Sequence, residues 1–186
     1  MVPEIETARL RLRSFHSDDG DAMAAMLGDP AVTRYLGGTP FAREYSWRRM
    51  LTSQGLWSIL GYGYWAVERR DNGLMIGQVG FADFKRDMLP SIENIPEMGW
   101  VFAPHGQGQG YALEAVEAGL RWADRSLPGQ EFVAIIDPRN QGSIRVAEKS
   151  GFSGRGPATY DGNPILLFRR PPVSPAAASA AAAPAA

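Results

Sequence analysis

The chain has 186 residues, an apolar fraction of 45% and a formal net charge of −1. That reads as one domain with enough apolar mass for a core, and with no global field that would draw it to nucleic acid or an anionic membrane. There is no cysteine, and His16 and His105 are the two histidines, so a thiol nucleophile, a disulfide framework, thiolate metal ligation and a His-rich metal site are not expected.

Met1-Val2-Pro3-Glu4 lacks the basic, then apolar pattern of a signal peptide, and no apolar run is long enough to span a bilayer. A cytoplasmic protein is the expectation. Residues Ala8 to Phe15 alternate, with Leu10, Leu12 and Ser14 on one side and Arg9, Arg11 and Arg13 on the other. That is the period of a half-buried strand. Ser17-Asp18-Asp19 supplies a cap and acidic first-turn residues for a helix through Met23, Met26 and Leu27, which Asp29-Pro30 stops. A second helix is predicted from Ala42 to Gln54 or a little beyond. Tyr64–Glu68 reads as a strand, Asp71-Asn72-Gly73 as a hairpin turn, and Leu74–Phe84 as the returning strand. Gly77 and Gly80 inside that strand mark a bulge or a close neighbour.

Lys85 to Pro96 is polar, contains proline and is long for a hairpin connection. It reads as a substrate lid or as an ordinary surface excursion. Met98–Phe102 is of strand character, and a helix follows with Leu113, Val116, Leu120, Ala123 and Leu127 in one stripe. Phe132–Ile136 is a continuous apolar run, a strand buried on both faces. Asp137-Pro138-Arg139-Asn140 opens a further helix, with Ile144, Val146 and Ala147 inward, closed by Gly151. Tyr160–Asn163 turns into a last strand, Ile165–Phe168. The domain spans residues 1–170, and Pro171–Ala186, almost all proline and alanine, reads as a disordered tail.

Between strand and helix stands Pro104-His105-Gly106-Gln107-Gly108-Gln109-Gly110-Tyr111. Three glycines let backbone N–H groups turn toward one anion, at the positive end of the following helix. A pyrophosphate is the natural guest. A P-loop is excluded, because the only lysines are Lys85 and Lys149. The dinucleotide fingerprint is excluded by its spacing. What fits is Gln107-x-x-Gly110-x-Ala112.

Three features share one order. They are Gln107-x-x-Gly110-x-Ala112 after a strand bearing Glu97; Asn140-x-x-Ser143-x-x-Val146-x-Glu148-Lys149-Ser150-Gly151-Phe152; and the opening Glu6-Thr7-Ala8-Arg9-Leu10-Arg11-Leu12-Arg13 with the later Asp29-Pro30 segment. In that register the chain resembles the GNAT superfamily of acyl-CoA-dependent N-acetyltransferases, over about Ile5 to Arg170. The branch it is most similar to is that of the ribosomal-protein N-terminal acetyltransferases (RimJ/RimL type). The resemblance implies a mixed α/β fold: a twisted, mainly antiparallel sheet with helices on both faces and a splayed strand pair for CoA. It implies acetyl-CoA as co-substrate and no metal. The backbone of Trp100, Val101 and Phe102 would meet the pantetheine arm. Gln107, Gly108, Gln109, Gly110, Tyr111 and Ala112 would form the pyrophosphate cradle. Asn140 and Ser143 fall on positions that face the pantetheine and its sulfur.

The implied chemistry is attack of an amine on a thioester, which needs a proton acceptor and help for the leaving thiolate. Glu97 is the candidate base, with a strand-ordering carboxylate as the structural alternative. Many family members place a tyrosine seven positions after the motif asparagine; here that position is Ala147. The RimJ/RimL-type branch departs likewise, and the resemblance to it implies Ser143 as the thiol partner, with a serine bonded to backbone as the alternative. Tyr35, Trp47 and Glu93 are the candidate acceptor contacts. The acceptor is a peptide N-terminus or a small-molecule amine. Neither a membrane nor direct nucleic-acid binding is expected, and a homodimer is a family-level expectation. The rival reading is a non-catalytic acyl-CoA sensor that kept the cradle.

Overall fold

A computed structural model describes residues 1–173, so most of the expected tail lies outside the described residues. The fold is mixed α/β and mostly antiparallel, and the chain divides into two compact units. The first comprises Met1–Ala82 and Met98–Val116; the second comprises Asp83–Glu97 and the chain from Glu117 on.

In the first unit, β1 (Ile5–Glu6), β2 (Leu10–Arg13), β3 (Tyr64–Arg69) and β4 (Met75–Ala82) run in that order, and β6 (Glu97–Phe102) follows β4. β1, β2, β3 and β4 pair antiparallel, with Ile5 opposite Leu12, Leu12 opposite Val67 and Trp65 opposite Val79. The register shifts between Val67 and Glu68. The hairpin turn forms as its residues demand, with Gly73 at φ 72. Gly77 and Gly80 do have close neighbours. A Cβ on Gly77 would stand 2.6 Å from the Val101 carbonyl oxygen, and one on Gly80 2.3 Å from that of Gly63.

The first unit's helices correct two expectations. Ser17–Asp19 is a short 3₁₀ turn, and α1 begins only at Gly20, running to Leu27. Asp29-Pro30 does not merely stop a helix. The Asp29 carboxylate accepts the Ala31 N–H at 2.7 Å and Pro30 opens α2 (Pro30–Thr33), because proline's fixed φ and missing donor suit a first helical position. α3 runs Arg43–Leu60, longer than expected, and ends at Gly61 with φ 75. Its buried residues Ser46, Met50 and Ser53 keep one face. Met50 joins Phe15, Met23, Met26, Leu27, Val32 and Tyr64 in the core of this unit.

Arg13 keeps the arginine side, sharing Glu68 with Arg11, but it is buried there. It is 7% exposed, its Nη1 and Nη2 donate to both Asp19 oxygens at 2.7 and 2.9 Å, and its Nε donates to Glu68 at 2.6 Å. Burial of the charge is tolerated because two carboxylates take its donors.

In the second unit, β7 (Phe132–Ile136), β9 (Asn163–Arg170), β8 (Gly154–Tyr160) and β5 (Met88–Leu89) lie in that order, all antiparallel. Glu97, the first residue of β6, is in parallel register with Val133. β8 went unread in the sequence because Gly154, Gly156 and Pro157 all weaken strand propensity. Pro157 lies beyond the stretch of β8 that β5 covers, where no ladder donor is needed. Asp161 and Gly162, at φ 48 and 71, make the tight turn into β9. The Lys85–Pro96 segment is not a free lid. It carries β5, and Met88 and Ile92 are buried with Val133, Ala158 and Leu167. α4 (Tyr111–Ser126) buries Val116, Leu120 and Ala123 of the predicted stripe, while α5 (Gln141–Lys149) buries Ile144 and Ala147.

Candidate functional site

In the first unit, the strand-to-helix turn is built around the φ angles of its glycines. Pro104–Gly106 forms one 3₁₀ turn after β6. Gly108 and Gly110 follow at φ 75 and 79, where a side chain is strained. A Cβ on Gly108 would meet nothing within 4 Å, and one on Gly110 only an Arg9 guanidinium nitrogen at 3.5 Å. The surface over this turn is therefore open. The first helical bond runs from Glu114 N–H to the Gly110 carbonyl at 3.1 Å, and the amides of the helix's first turn precede it and are free to meet an anion. This donor set fits a pyrophosphate.

The side chains of the two glutamines brace the turn. Gln107 Nε2 donates to the Phe102 carbonyl at 2.8 Å, and Gln109 Nε2 to the His105 carbonyl at 3.0 Å. Phe102 and Tyr111 are buried, and Trp100, Val101 and Ala112 are half-buried. Sequence reading missed the clamp below the turn. Arg9 Nε donates to Glu114 at 2.7 Å, its Nη1 to the Gln109 carbonyl at 2.9 Å, and its guanidinium lies 4.5 Å from the Tyr111 ring centre. Thr7 Oγ1 donates to the other Glu114 oxygen at 2.6 Å. Burial alone would push the Glu114 carboxyl up, but Thr7 and Arg9 outweigh it and hold it below its ordinary value. The opening Thr7-x-Arg9 and Glu114 were both visible in the sequence, 105 residues apart for the arginine pair, with nothing local to join them.

The second unit holds Glu97, Asn140, Ser143 and Glu93. Glu97 is 5% exposed and takes Arg86 in a fork, Nε at 2.6 Å and Nη2 at 3.0 Å. Asn140 caps α5, its Oδ1 accepting the Ser143 N–H at 3.0 Å. The asparagine oxygen is thereby committed to the helix, while its amide nitrogen and the Ser143 hydroxyl lie outside that bond. Glu93 is exposed.

Tyr35 and Trp47 belong to the first unit. Tyr35 is half-buried beside Arg34, whose guanidinium lies 5.4 Å from its ring centre. Trp47 is 39% exposed and lines a hollow of about 450 Å³ with Gly20, Arg43 and Glu44; no cradle residue lines it. Trp57 and Trp65 are packed edge to face with centres 4.7 Å apart, and Trp65 is wholly buried.

Comparison with known proteins bears on the family and the fold. The family model described as Acetyltransferase (GNAT) domain matches residues 9–153. The uncharacterized protein YkkB of Bacillus subtilis is 31% identical over 172 residues, covering 90% of this chain and 95% of its own. A Bordetella pertussis protein described as a GnaT-family acetyltransferase superposes with a TM-score of 0.79 at 32% identity, over 91% of this chain and 99% of its own. The RimL ribosomal L7/L12 alpha-N-protein acetyltransferase, solved in complex with coenzyme A, shares the fold with a TM-score of 0.72 at 19% identity, over 91% and 98% of the two chains.

Proposed function

The chain belongs to the GNAT acetyltransferase family, and from that premise we propose that it moves the acetyl group of acetyl-CoA to a primary amine by direct attack. The observation that carries this reading is the open glycine turn at the head of α4, with Gly108 and Gly110 in conformations that only glycine adopts without strain. Acetyl-CoA, when bound, supplies a thioester: a C–N bond forms to the amine, the C–S bond breaks, and the CoA thiol leaves.

The turn's amides hold the pyrophosphate, and the Arg9–Glu114 clamp keeps the turn in place beneath it. Glu97 accepts the proton that the amine sheds, directly or through a water. The Ser143 hydroxyl gives a hydrogen bond to the departing sulfur. Each step uses an oxygen or amide, which suits a chain without cysteine. The co-substrate's identity is supported by the RimL structure that contains coenzyme A.

The test is calorimetric titration with acetyl-CoA of the wild-type protein and of Gly108→Trp. Open space around Gly108 lets the indole stand where the pyrophosphate would lie. Binding to the wild type, lost in a variant whose circular dichroism is unchanged, is the expected result. A folded wild type that does not bind acetyl-CoA overturns the reading.

A further inference from the structure

Arg86 is bonded to Glu97 in the second unit, and its surroundings are built. Its Nε and Nη2 grip the two Glu97 oxygens, while its third nitrogen, Nη1, is not part of that fork. The guanidinium carbon lies 5.0 Å from the Phe84 ring centre and 4.8 Å from that of Tyr160. The Glu97 side chain is 6% exposed and that of Arg86 20%, so the arginine is the solvent-facing member. Burial works against the charge on Arg86, but the bonds and field of Glu97, with Tyr160, outweigh it and hold the group above its ordinary value.

The segment carrying Phe84 and Arg86 is held in an unusual shape. Lys85 and Asn94, neither of them glycine, have φ of 50 and 65. Asp83 holds both: its Oδ1 accepts the Lys85 N–H at 3.1 Å, and its Oδ2 accepts the Lys85 ammonium at 2.6 Å and the Asn94 N–H at 3.0 Å. Asparagine adopts left-handed backbone readily, but at a lysine it persists only when its surroundings over-determine it, and such residues cluster at ligand clamps. A buried ion pair is itself a weak device for stability. A fixed, strained segment that aims an arginine between two rings at a carboxylate is better explained by a ligand.

Resting on the N-acetyltransferase reading, we propose that the acceptor carries a carboxylate beside its amine, as an amino acid does, and that Arg86 binds that carboxylate. The group already held by Arg86 is a carboxylate, so the exchange is like for like, and a guanidinium fork matches that anion's geometry. As the acceptor's carboxylate takes over the guanidinium, the Glu97 oxygens are freed for the acceptor's ammonium. A zwitterion thus satisfies both members of the pair. A peptide N-terminus or a simple amine brings no anion and leaves the Arg86–Glu97 fork closed.

The experiment measures thiol release from acetyl-CoA with each standard amino acid other than cysteine and with its carboxamide, for wild type and Arg86→Gln; the cysteine-free chain adds no thiol background. The wild type should prefer at least one free acid over its amide in kcat/KM by roughly tenfold to a hundredfold, the range expected for a charged hydrogen-bonded contact. In Arg86→Gln that ratio should fall toward one, with KM for the acid rising. A purely structural role for Arg86 would lower both rates together and leave the ratio intact. Thermal shift of the wild type by the same acids and amides, with CoA present, gives a second readout. Amides handled as well as acids in both assays, or an unchanged ratio in the variant, overturn the proposal. Failure to bind acetyl-CoA in the parallel titration counts against the proposed function instead.

Discussion

Glu97 shows how much of a residue's role is set by its partner. On the strand it is a carboxylate at a suitable place; in the fold both its oxygens are occupied by Arg86. On the proposed mechanism, replacing Glu97 with Gln takes away the proton acceptor, and kcat should fall by about 10²–10⁴, the usual range for a positioned general base. Ser143→Ala takes away the hydrogen bond proposed for the leaving sulfur, and kcat should fall by about tenfold. Steady-state kinetics at saturating acetyl-CoA, corrected for folded fraction, checks both, and rates equal to wild type in both variants would remove these assignments. Both residues were readable as candidates because motif spacing places them. Arg86 was not, since a lone arginine in a polar segment resembles any solvated one until the fold sets it between Phe84 and Tyr160.

At the scale of elements, β4 and β6 approach so closely at Gly77 that the position tolerates no side chain. A Cβ would sit 2.6 Å from the Val101 carbonyl oxygen and 2.8 Å from the Phe102 ring. Gly77→Ala should therefore cost roughly 1–3 kcal/mol by overpacking, and it should weaken acetyl-CoA binding, because β6 leads directly into the cradle. Gly55, inside α3 with nothing within 4 Å of its Cβ position, is the control. Gly55→Ala should stabilise by about 0.5–1 kcal/mol. Thermal melts of the two variants should move in opposite directions, and a common direction would refute the contrast. The glycines in β4 were recognisable from sequence as markers of a close neighbour. Which neighbour was not, since the strand that approaches comes from another part of the chain. β8 escaped notice for the opposite reason: its local preferences are poor, and pairing along β9 overrides them.

Across the whole molecule, carboxyls held below their ordinary values set the acid limit of stability, and among the described residues they are Asp19, Asp83, Glu114 and Asp137. For Asp19 and Asp83 burial opposes ionisation, but Arg13 and the His16 amide, and Lys85 and the Asn94 amide, outweigh it; Glu114 is held by Thr7 and Arg9. A carboxyl depressed in the folded state stabilises above its unfolded value, 3.8 for aspartate and 4.5 for glutamate. That contribution is lost as pH falls through the folded value. Melting temperature should hold to about pH 5 and drop steeply below about pH 4. Asp19→Asn should lower the plateau by roughly 3 kcal/mol, because it leaves Arg13 buried with half its partners, and should shallow the acid limb. Melts from neutral pH to about pH 3 would show this, and an unchanged acid limb in the variant would refute it. The sequence by itself determined the strand, glycine turn and helix around Gly108 and Gly110, the capped α5 and the family to which they belong. Periodicity, turn chemistry and motif spacing act over a few neighbouring residues and are written consecutively. Only the tertiary structure decided that Arg9 clamps Glu114, that Arg13 is buried on Asp19 and Glu68, and that Arg86 holds Glu97. A charge's partner depends on which distant segments the topology brings within about 3 Å, and no local pattern encodes that.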